Sequence, residues 1–188
     1  MFSQSPERGM RTMLLRSITS RQVLLQEEPM NTVVIYDSQF GNTERIAKAM
    51  ASTLRAFGSS QAVRVDASPP VEFAEVDLLL VGCPTQQFRP TPAMRAFLEQ
   101  LSPATLNHLS VACFDTRVRL PWPLNGTAAQ KMARQLRGLG IKLLVPPEGF
   151  FVKGKQGPLA DGEVERATWW AARLHNAFAA SHPQVAAS

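Results

Sequence analysis

A polar segment that follows the first predicted strand has the residue types needed to bind a phosphate. Residues 37–44 read Asp-Ser-Gln-Phe-Gly-Asn-Thr-Glu and lead directly into a helical pattern. Gly41 permits a tight turn, while Ser38 and Thr43 place hydroxyls where main-chain N–H groups and the helix dipole attract anions. The segment has neither the Gly-Lys-Ser/Thr ending of a P-loop nor the spaced glycines of a dinucleotide fingerprint. An ordinary capped helix start would use the same Asn42 and Thr43.

Two further loops carry residues suited to a flat ligand. The first, residues 82–91, holds polar side chains, an aromatic residue and two prolines. The second, residues 114–123, combines Asp115 and Arg117 with Trp122 between two prolines. In parallel α/β sheets, ligands bind outside the carboxyl ends of the strands, where the strand order reverses. Each loop alone is a weak signal, but three loops at one sheet edge favour a single binding site for a heteroaromatic ligand.

The elements that must position these loops follow from hydrophobic periodicity. Short apolar runs alternate with amphipathic stretches, a pattern typical of a parallel α/β sheet. One run is continuously apolar, as expected for a strand covered by helices on both faces. The sequence predicts strands over residues 32–36, 61–65, 77–82, 109–114 and, with an interruption, 141–152.

Helix start and stop signals lie between these strands. Asn42 opens a helix that ends at Gly58, and Thr91, followed by a proline, serves as N-cap of a second. A third helix follows Thr127. We expect Asp161 to cap the last one.

The combination of loops and elements resembles the flavodoxin family over residues 32–178. Ser38, followed three residues later by Gly-Asn-Thr, matches the phosphate loop of that family. Residues 82–85, Gly-Cys-Pro-Thr, resemble the Gly-x-Pro-Thr that opens its first flavin loop, and the segment from Asp115 corresponds to its second flavin loop. The resemblance implies a flavodoxin-like α/β fold, a three-layer sandwich whose five-stranded parallel sheet has the order 2-1-3-4-5 with helices on both faces.

The same resemblance implies that the chain binds FMN. The FMN phosphate would lie in the phosphate loop and the ring between the two flavin loops; no catalytic residue and no metal site is implied. The cofactor-binding residues that it implies are Ser38, Gln39, Phe40, Gly41, Asn42, Thr43, Pro84, Thr85, Gln86, Gln87, Phe88, Asp115, Thr116 and Arg117. Arg117 would then raise the flavin potential by attracting negative charge, or else form a loop charge or an ion pair with Asp115.

The chain departs from the family pattern at two points. Flavodoxins that carry electrons usually cover the ring with a Trp in the first flavin loop and a Tyr in the second. Here the first loop has no Trp and Thr116 stands near the Tyr position, with Phe88 and Trp122 as candidate substitutes. Those carriers are also typically acidic and dock on basic partners, whereas this chain has a net charge of +5.

The leading expectation is an FMN protein that moves electrons between a reductase and an acceptor protein. One alternative is a flavin-dependent oxidoreductase, either a quinone reductase or a protoporphyrinogen-oxidase-like protein, because an uncovered ring face would admit a substrate. A second alternative is an interaction domain that binds no flavin. Cys83 and Cys113 lie at neighbouring strand ends, either as a redox pair or as buried thiols.

Composition limits the remaining classes. A length of 188 residues with 45% hydrophobic content suits one domain, and two cysteines exclude a disulfide-rich secreted scaffold. No apolar run approaches the ~18 residues of a membrane-spanning helix. Basic residues form no run interleaved with aromatic residues, so we expect no nucleic-acid partner. A cytoplasmic monomer or homodimer is expected.

We expect three segments along the chain: an N-terminal extension over residues 1–30, the flavodoxin-like domain over 31–180, and a short tail over 181–188. The extension is rich in Arg and Ser, as a mitochondrial transit peptide would be. A translation start at Met30, directly before the first strand, is the alternative. Either way, the sequence favours an appendage outside the core fold.

Overall fold

A five-stranded sheet forms the centre of the protein in a computed structural model, which describes residues 29–66, 72–120 and 126–182. The strand order is β2-β1-β3-β4-β5, and each neighbouring pair is parallel. The predicted order is therefore confirmed. The strands are β1 Thr32–Tyr36, β2 Ser60–Arg64, β3 Leu78–Pro84, β4 Ser110–Val118 and β5 Glu148–Val152.

Helices cover both faces of this sheet. Within the described ranges, none of them is long and apolar enough to cross a bilayer. The helices are α1 Asn42–Leu54, extended by a 3-10 turn over Arg55–Phe57, α2 Pro92–Gln100, the short α3 Pro103–Leu106, α4 Ala128–Gly138 and α5 Glu163–Ser181.

Each face of the sheet has its own hydrophobic core, because successive side chains of a strand point to opposite faces. Val33 and Ile35 of β1 pack on the side covered by α2 and α4. Val34 and Tyr36 pack on the side covered by α1 and α5. β3 lies between the two layers and is buried over nearly its whole length, which explains its continuously apolar sequence.

β4 extends further than its apolar run predicts. It pairs with β5 through Phe114–Val118, so the partner strand holds the chain extended beyond the last apolar residue. Thr116 and Arg117, which the sequence places in a loop, therefore have strand geometry.

The predicted fifth strand is interrupted, as expected. Leu143 forms an isolated parallel bridge with Val111, and the Leu144 N–H donates to Val111 O at 2.8 Å. Residues 146 and 147 are both prolines, which have no N–H to continue the ladder. The continuous strand β5 starts only after them.

The predicted N-cap at Thr91 is confirmed, since its side chain accepts a first-turn N–H of α2. Thr127, which the sequence places directly before a helix, caps α4 in the same way. The predicted cap at Asp161 is wrong. The N-cap of α5 is Gly162, with a left-handed φ of 77° and no side-chain hydrogen bond. Asp161 instead pairs with Lys153, whose Nζ lies 2.8 Å from a carboxylate oxygen.

The predicted extension and tail fall almost wholly outside the described residues, which begin at residue 29 and end at residue 182. Met30, at the expected boundary, is already part of the domain. Its side chain is buried, and its N–H donates to Phe57 O at 2.8 Å.

Close packing fixes the end of β3. A Cβ built on Gly82 would come within 2.1 Å of the Phe114 ring. That ring packs edge-on against Phe150 and Trp170, with centroid distances of 6.2 and 6.3 Å, so it has no room to move away. Only glycine fits at this position, directly before the residues that begin the site.

Gly82→Ala is expected to lower the free energy of unfolding by about 1–3 kcal/mol, the usual cost of overpacking a core. Gly138→Ala is the matched control, since a Cβ there meets nothing within 4 Å. It should leave stability unchanged or raise it slightly, because alanine favours helix over glycine. Urea unfolding followed by circular dichroism measures both variants. Wild-type stability in Gly82→Ala would show that the core yields more than this packing allows.

Candidate functional site

A cavity of about 600 Å³ opens at the sheet edge where β1, β3 and β4 end. Most of the predicted site residues line it, and Gly41, Phe88 and Asp115 are the predicted residues that do not. The lining residues are Ser38, Gln39, Phe40, Asn42, Thr43, Pro84, Thr85, Gln86, Gln87, Arg89, Pro90, Pro92, Arg95, Thr116, Arg117, Val118, Val152 and Lys155.

The N-terminus of α1 lies at this cavity and has no side-chain cap. Its N-cap is Gly41, which adopts a left-handed φ of 78°. By contrast, α2, α3 and α4 each begin after a Ser or Thr whose side chain accepts a first-turn N–H, while α5, which also begins after a left-handed glycine, contributes no residue to this cavity. The first N–H groups of a helix have no partner within it, so those of α1 are left for a ligand.

Ser38 has a buried hydroxyl that finds no hydrogen-bond partner in the described part of the chain. The residue is 4% exposed, and its own N–H donates to Asp37 Oδ1 at 2.8 Å. Leaving a buried polar group unpaired costs on the order of 1–3 kcal/mol. Because Ser38 lines the cavity, this hydroxyl is available to a ligand.

Two side chains at the start of α1 tie it to neighbouring segments. Thr43 Oγ1 and Thr116 Oγ1 lie 2.7 Å apart and share a hydrogen bond between α1 and β4. Asn42 Nδ2 donates to Gln156 O at 3.0 Å, which joins α1 to the loop between β5 and α5. That loop approaches closely because Gly157, with a φ of 110°, has no side chain to strike Asn42.

The loop after β3 makes a tight turn toward the same cavity. Gln86 and Arg89 exchange two main-chain hydrogen bonds of 3.0 and 2.8 Å, and Gln87 and Phe88 between them have φ values of 47° and 62°. Positive φ is uncommon outside glycine and is costly, so the surrounding contacts must hold it. One of them joins Gln86 Nε2 to Gln39 Oε1 over 2.5 Å, which ties this turn to the segment after β1.

The aromatic cover expected from Phe88 or Trp122 is not present in the described residues. Phe88 is 41% exposed and stands outside the cavity lining, and Trp122 lies outside the described ranges. Thr116 is buried, and its hydroxyl is engaged by Thr43. Among the described residues, the aromatic side chain that lines the cavity is Phe40.

Asp115 lies beneath the cavity rather than in its wall. It has no exposed surface, and its Oδ2 accepts from Thr85 Oγ1 at 3.1 Å and from the Ala129 N–H at 2.9 Å. Its Oδ1 accepts from Arg117 Nη1. Thr85 Oγ1 accepts in turn from the Ala128 N–H at 2.8 Å. The carboxylate therefore joins the loop after β3, the end of β4 and the N-terminus of α4.

Of the two roles foreseen for Arg117, the structure contains the ion pair with Asp115. The guanidinium also lies 5.4 Å from the ring centroid of Phe151 and stands directly over Gly149, where a Cβ would come within 2.0 Å of it. Arg117 still lines the cavity, but its charge is paired with that of a buried carboxylate. The pair presents little net positive charge to a ligand.

The remaining charged residues in the lining are all basic. Arg89, Arg95 and Lys155 line the cavity, and no acidic residue does so among the described residues. This sign of charge suits an anionic ligand.

These three cations were missed by sequence reasoning. Arg89 adjoined a predicted residue, and Arg95 lies one turn after the predicted N-cap Thr91. Lys155 lies in the loop after β5. Because ligands bind outside the carboxyl ends of the strands, this loop was also a candidate.

The two thiols are buried rather than poised for chemistry. Burial raises the pKa of Cys83 to about 12 and the pKa of Cys113 well above its ordinary value. Cys83 Sγ lies 3.9 Å from Met132 Sδ. The structure therefore favours the packing role over a redox pair. In the described ranges, no cluster of His, Cys, Asp and Glu could hold a metal ion.

Comparison with known proteins agrees with this geometry. The sequence model of the family described as Flavodoxin matches residues 34–170. Oxidised Flavodoxin 1 from Bacillus cereus is similar in structure, with a TM-score of 0.63 and 19% identity over 78% of this chain and 97% of that chain. A flavodoxin from the domain Archaea gives a TM-score of 0.63 and 19% identity over 79% of this chain and 99% of that chain.

A larger protein also contains this fold. Rubredoxin oxygen:oxidoreductase from Desulfovibrio gigas matches with a TM-score of 0.62 and 20% identity over 90% of this chain. The match covers 41% of that protein. No curated protein matches this chain in sequence. The structural matches confirm the predicted flavodoxin-like fold.

Asp115→Asn is expected to lower the free energy of unfolding by about 1–3 kcal/mol, because the amide replaces an acceptor that three donors share and leaves Arg117 unpaired. Asp161→Asn is the matched control. Its ion pair with Lys153 is exposed, so its loss should cost about 0–1 kcal/mol. Chemical denaturation measures both variants. Equal effects would show that the buried carboxylate does not organise the site.

Proposed function

The chain belongs to the flavodoxin family, and from that membership and the geometry of the cavity we propose that it binds FMN and transfers electrons. The phosphate loop, residues 38–43 at the start of α1, would hold the FMN phosphate. Residues 84–87 and the end of β4 would hold the flavin ring. The protein exchanges electrons with a reductase and an acceptor.

The observation that carries this proposal is the hydroxyl of Ser38. It is buried, lines the cavity and lacks a partner in the described part of the chain, beside a helix N-terminus that no side chain caps. A phosphate dianion would accept from that hydroxyl and from the free N–H groups of α1. The donor set therefore fits the phosphate of FMN without any lysine or arginine in the loop itself.

The residues around the ring site have a positioning role. FMN, when bound, supplies reversible one- and two-electron chemistry. Thr85 and Arg117 are held in place by the Asp115 carboxylate, and Gln86 is held by Gln39. This network fixes the walls of the cavity before a ligand arrives, which lowers the entropy cost of binding. Because Arg117 is paired with Asp115, we infer that it contributes little to raising the flavin potential.

A second candidate function is a flavin-dependent reductase of quinones. The observation that favours it is Thr116, which stands near the position of the usual Tyr. Thr116 is not aromatic and its hydroxyl is held by Thr43, so it does not cover the ring and leaves that face open to a substrate. Anaerobic stopped-flow with NADPH and a quinone distinguishes the two. The FMN-loaded carrier should be reduced slowly by NADPH alone, and fast turnover of both substrates would establish the enzyme instead.

The binding step itself has a direct test. Purified protein should show the bands of oxidised flavin at ~450 and ~370 nm, or gain them on addition of FMN, since these arise from the ring of the cofactor. Failure to take up FMN would contradict the proposal and favour the alternative of an interaction domain that binds no flavin.

Ser38→Ala is expected to weaken FMN binding by about 10- to 100-fold, because each hydrogen bond to a charged group contributes roughly 1.5–3 kcal/mol. Riboflavin, which lacks the phosphate, should bind the variant and the wild type equally. Stability without ligand should not fall, because the hydroxyl has no partner to lose. Fluorescence titration with both ligands measures the affinities.

Ser60→Ala is the matched control for this test. Ser60, in β2, also has a buried hydroxyl without a partner in the described residues, but it does not line the cavity. Its replacement should leave FMN affinity unchanged. An equal loss of FMN and riboflavin in Ser38→Ala would mean that the phosphate is held elsewhere.

A further inference from the structure

Exposed apolar side chains lie on the segments that form the cavity, and two of them, Phe40 and Val118, are in its lining. Five large apolar residues are exposed in the described part of the chain, and four of them lie on the segments that surround the cavity. They lie after β1, after β3, and at or just beyond the end of β4, and are 37% to 46% exposed: Phe40, Phe88, Val118 and Leu120. Scattered exposed apolar residues are ordinary, but a group at the entrance to a site marks a contact surface.

Unpaired positive charges line the same cavity. Arg89, Arg95 and Lys155 are exposed residues that line the cavity on three separate segments. Over residues 29–66, 72–120 and 126–182, no carboxylate forms an ion pair with any of them. Their charges are therefore free to act on an approaching molecule.

Acidic residues next to the lining segments form ion pairs within the chain. Glu44 pairs with Lys48, with 2.6 Å between Oε1 and Nζ, and Asp37 lies 3.7 Å from an Arg64 nitrogen, although Arg64 also pairs with Asp66 at 3.1 Å. Asp115 is paired with Arg117. Among the described residues, the cavity lining therefore has unpaired cations and no acidic side chain, in agreement with the net charge of +5 for the whole chain.

We propose that this apolar and cationic rim, formed by Phe40, Phe88, Val118, Leu120, Arg89, Arg95 and Lys155, is the docking surface for an acidic one-electron redox protein. The proposal rests on the proposed FMN function and names the class of partner. Protein–protein interfaces typically combine a central apolar patch with a polar or charged rim. Charge complementarity would speed the encounter and orient the partner toward the flavin. Cations on three segments around apolar residues suit a protein surface better than a small substrate or a nucleic-acid strand.

The test uses two one-electron haem proteins of opposite surface charge. The FMN-loaded protein is reduced anaerobically and mixed with ferric cytochrome b5, whose surface is acidic, or with ferric mitochondrial cytochrome c, whose surface is basic. In each encounter one electron passes from the reduced flavin to the haem iron, which changes from Fe³⁺ to Fe²⁺. Raising NaCl from about 10 to about 200 mM should slow the reaction with cytochrome b5 by about tenfold or more. The reaction with cytochrome c should be unchanged or faster at the higher salt.

Arg89→Gln combined with Arg95→Gln is expected to slow reduction of cytochrome b5 by about tenfold at low salt, with FMN kept saturating. The control is Arg134→Gln combined with Arg137→Gln on α4. It removes the same charge from exposed arginines that do not line the cavity, so the rate should change less than about twofold. Equal slowing by both pairs would assign the effect to net charge alone and overturn the proposal.

A binding measurement separates this proposal from the FMN proposal. Zinc-substituted cytochrome b5, which is redox-inert, is titrated calorimetrically into the protein with and without FMN. Salt-sensitive binding without FMN uptake would support the docking surface and reject the FMN function. FMN uptake without cytochrome b5 binding would support the FMN function and reject the docking surface. Binding of phosphatidylserine vesicles or a single-stranded oligonucleotide in place of cytochrome b5, lost in Arg89→Gln/Arg95→Gln, would assign the rim to another anion and overturn the proposal.

Discussion

The Asp115 carboxylate sits in the interior of the protein with no exposed surface, a position that is costly for a charge unless donors surround it. Three elements supply those donors: the Thr85 hydroxyl from the loop after β3, the Ala129 N–H from the start of α4, and the Arg117 guanidinium from β4 itself. The charge is stable only while all three remain in place. This requirement holds one wall of the cavity in a single arrangement. The loop after β3 is positioned by the hydrogen bond from Thr85 to Asp115.

The architecture was predictable from sequence because its signals are local. Alternating apolar runs and caps such as Thr91 predict the elements. The spacing of Ser38 and Gly41 indicates the resemblance to flavodoxins, and that resemblance implies the strand order. Asp115 was assigned to the ligand because the resemblance implies that the second flavin loop starts there, directly after an apolar run that looks complete at Phe114. β5, far along the chain, pairs with those residues and extends β4, so the carboxylate turns into the protein.

Other parts of the site could not be predicted for related reasons. Gln87 and Phe88 adopt positive φ without the Gly or Asn that usually announces it, and the turn therefore carries no sequence signal. Lys155 reaches the cavity through the contact of Asn42 with Gln156, 114 positions apart in sequence. Such contacts depend on how the loops meet, and periodicity within any one segment contains no information about them.

The Thr85 hydroxyl has a consequence for molecular recognition. It has a single proton, which it donates to Asp115, and it accepts the Ala128 N–H on its oxygen. The Thr85 N–H is likewise used, by Thr116 O at 2.8 Å. Both donors of this threonine are therefore used, so it can offer a ligand only its methyl group and oxygen acceptors. A molecule lying against that wall meets dispersion forces and an acceptor, so it gains there by presenting a hydrogen-bond donor.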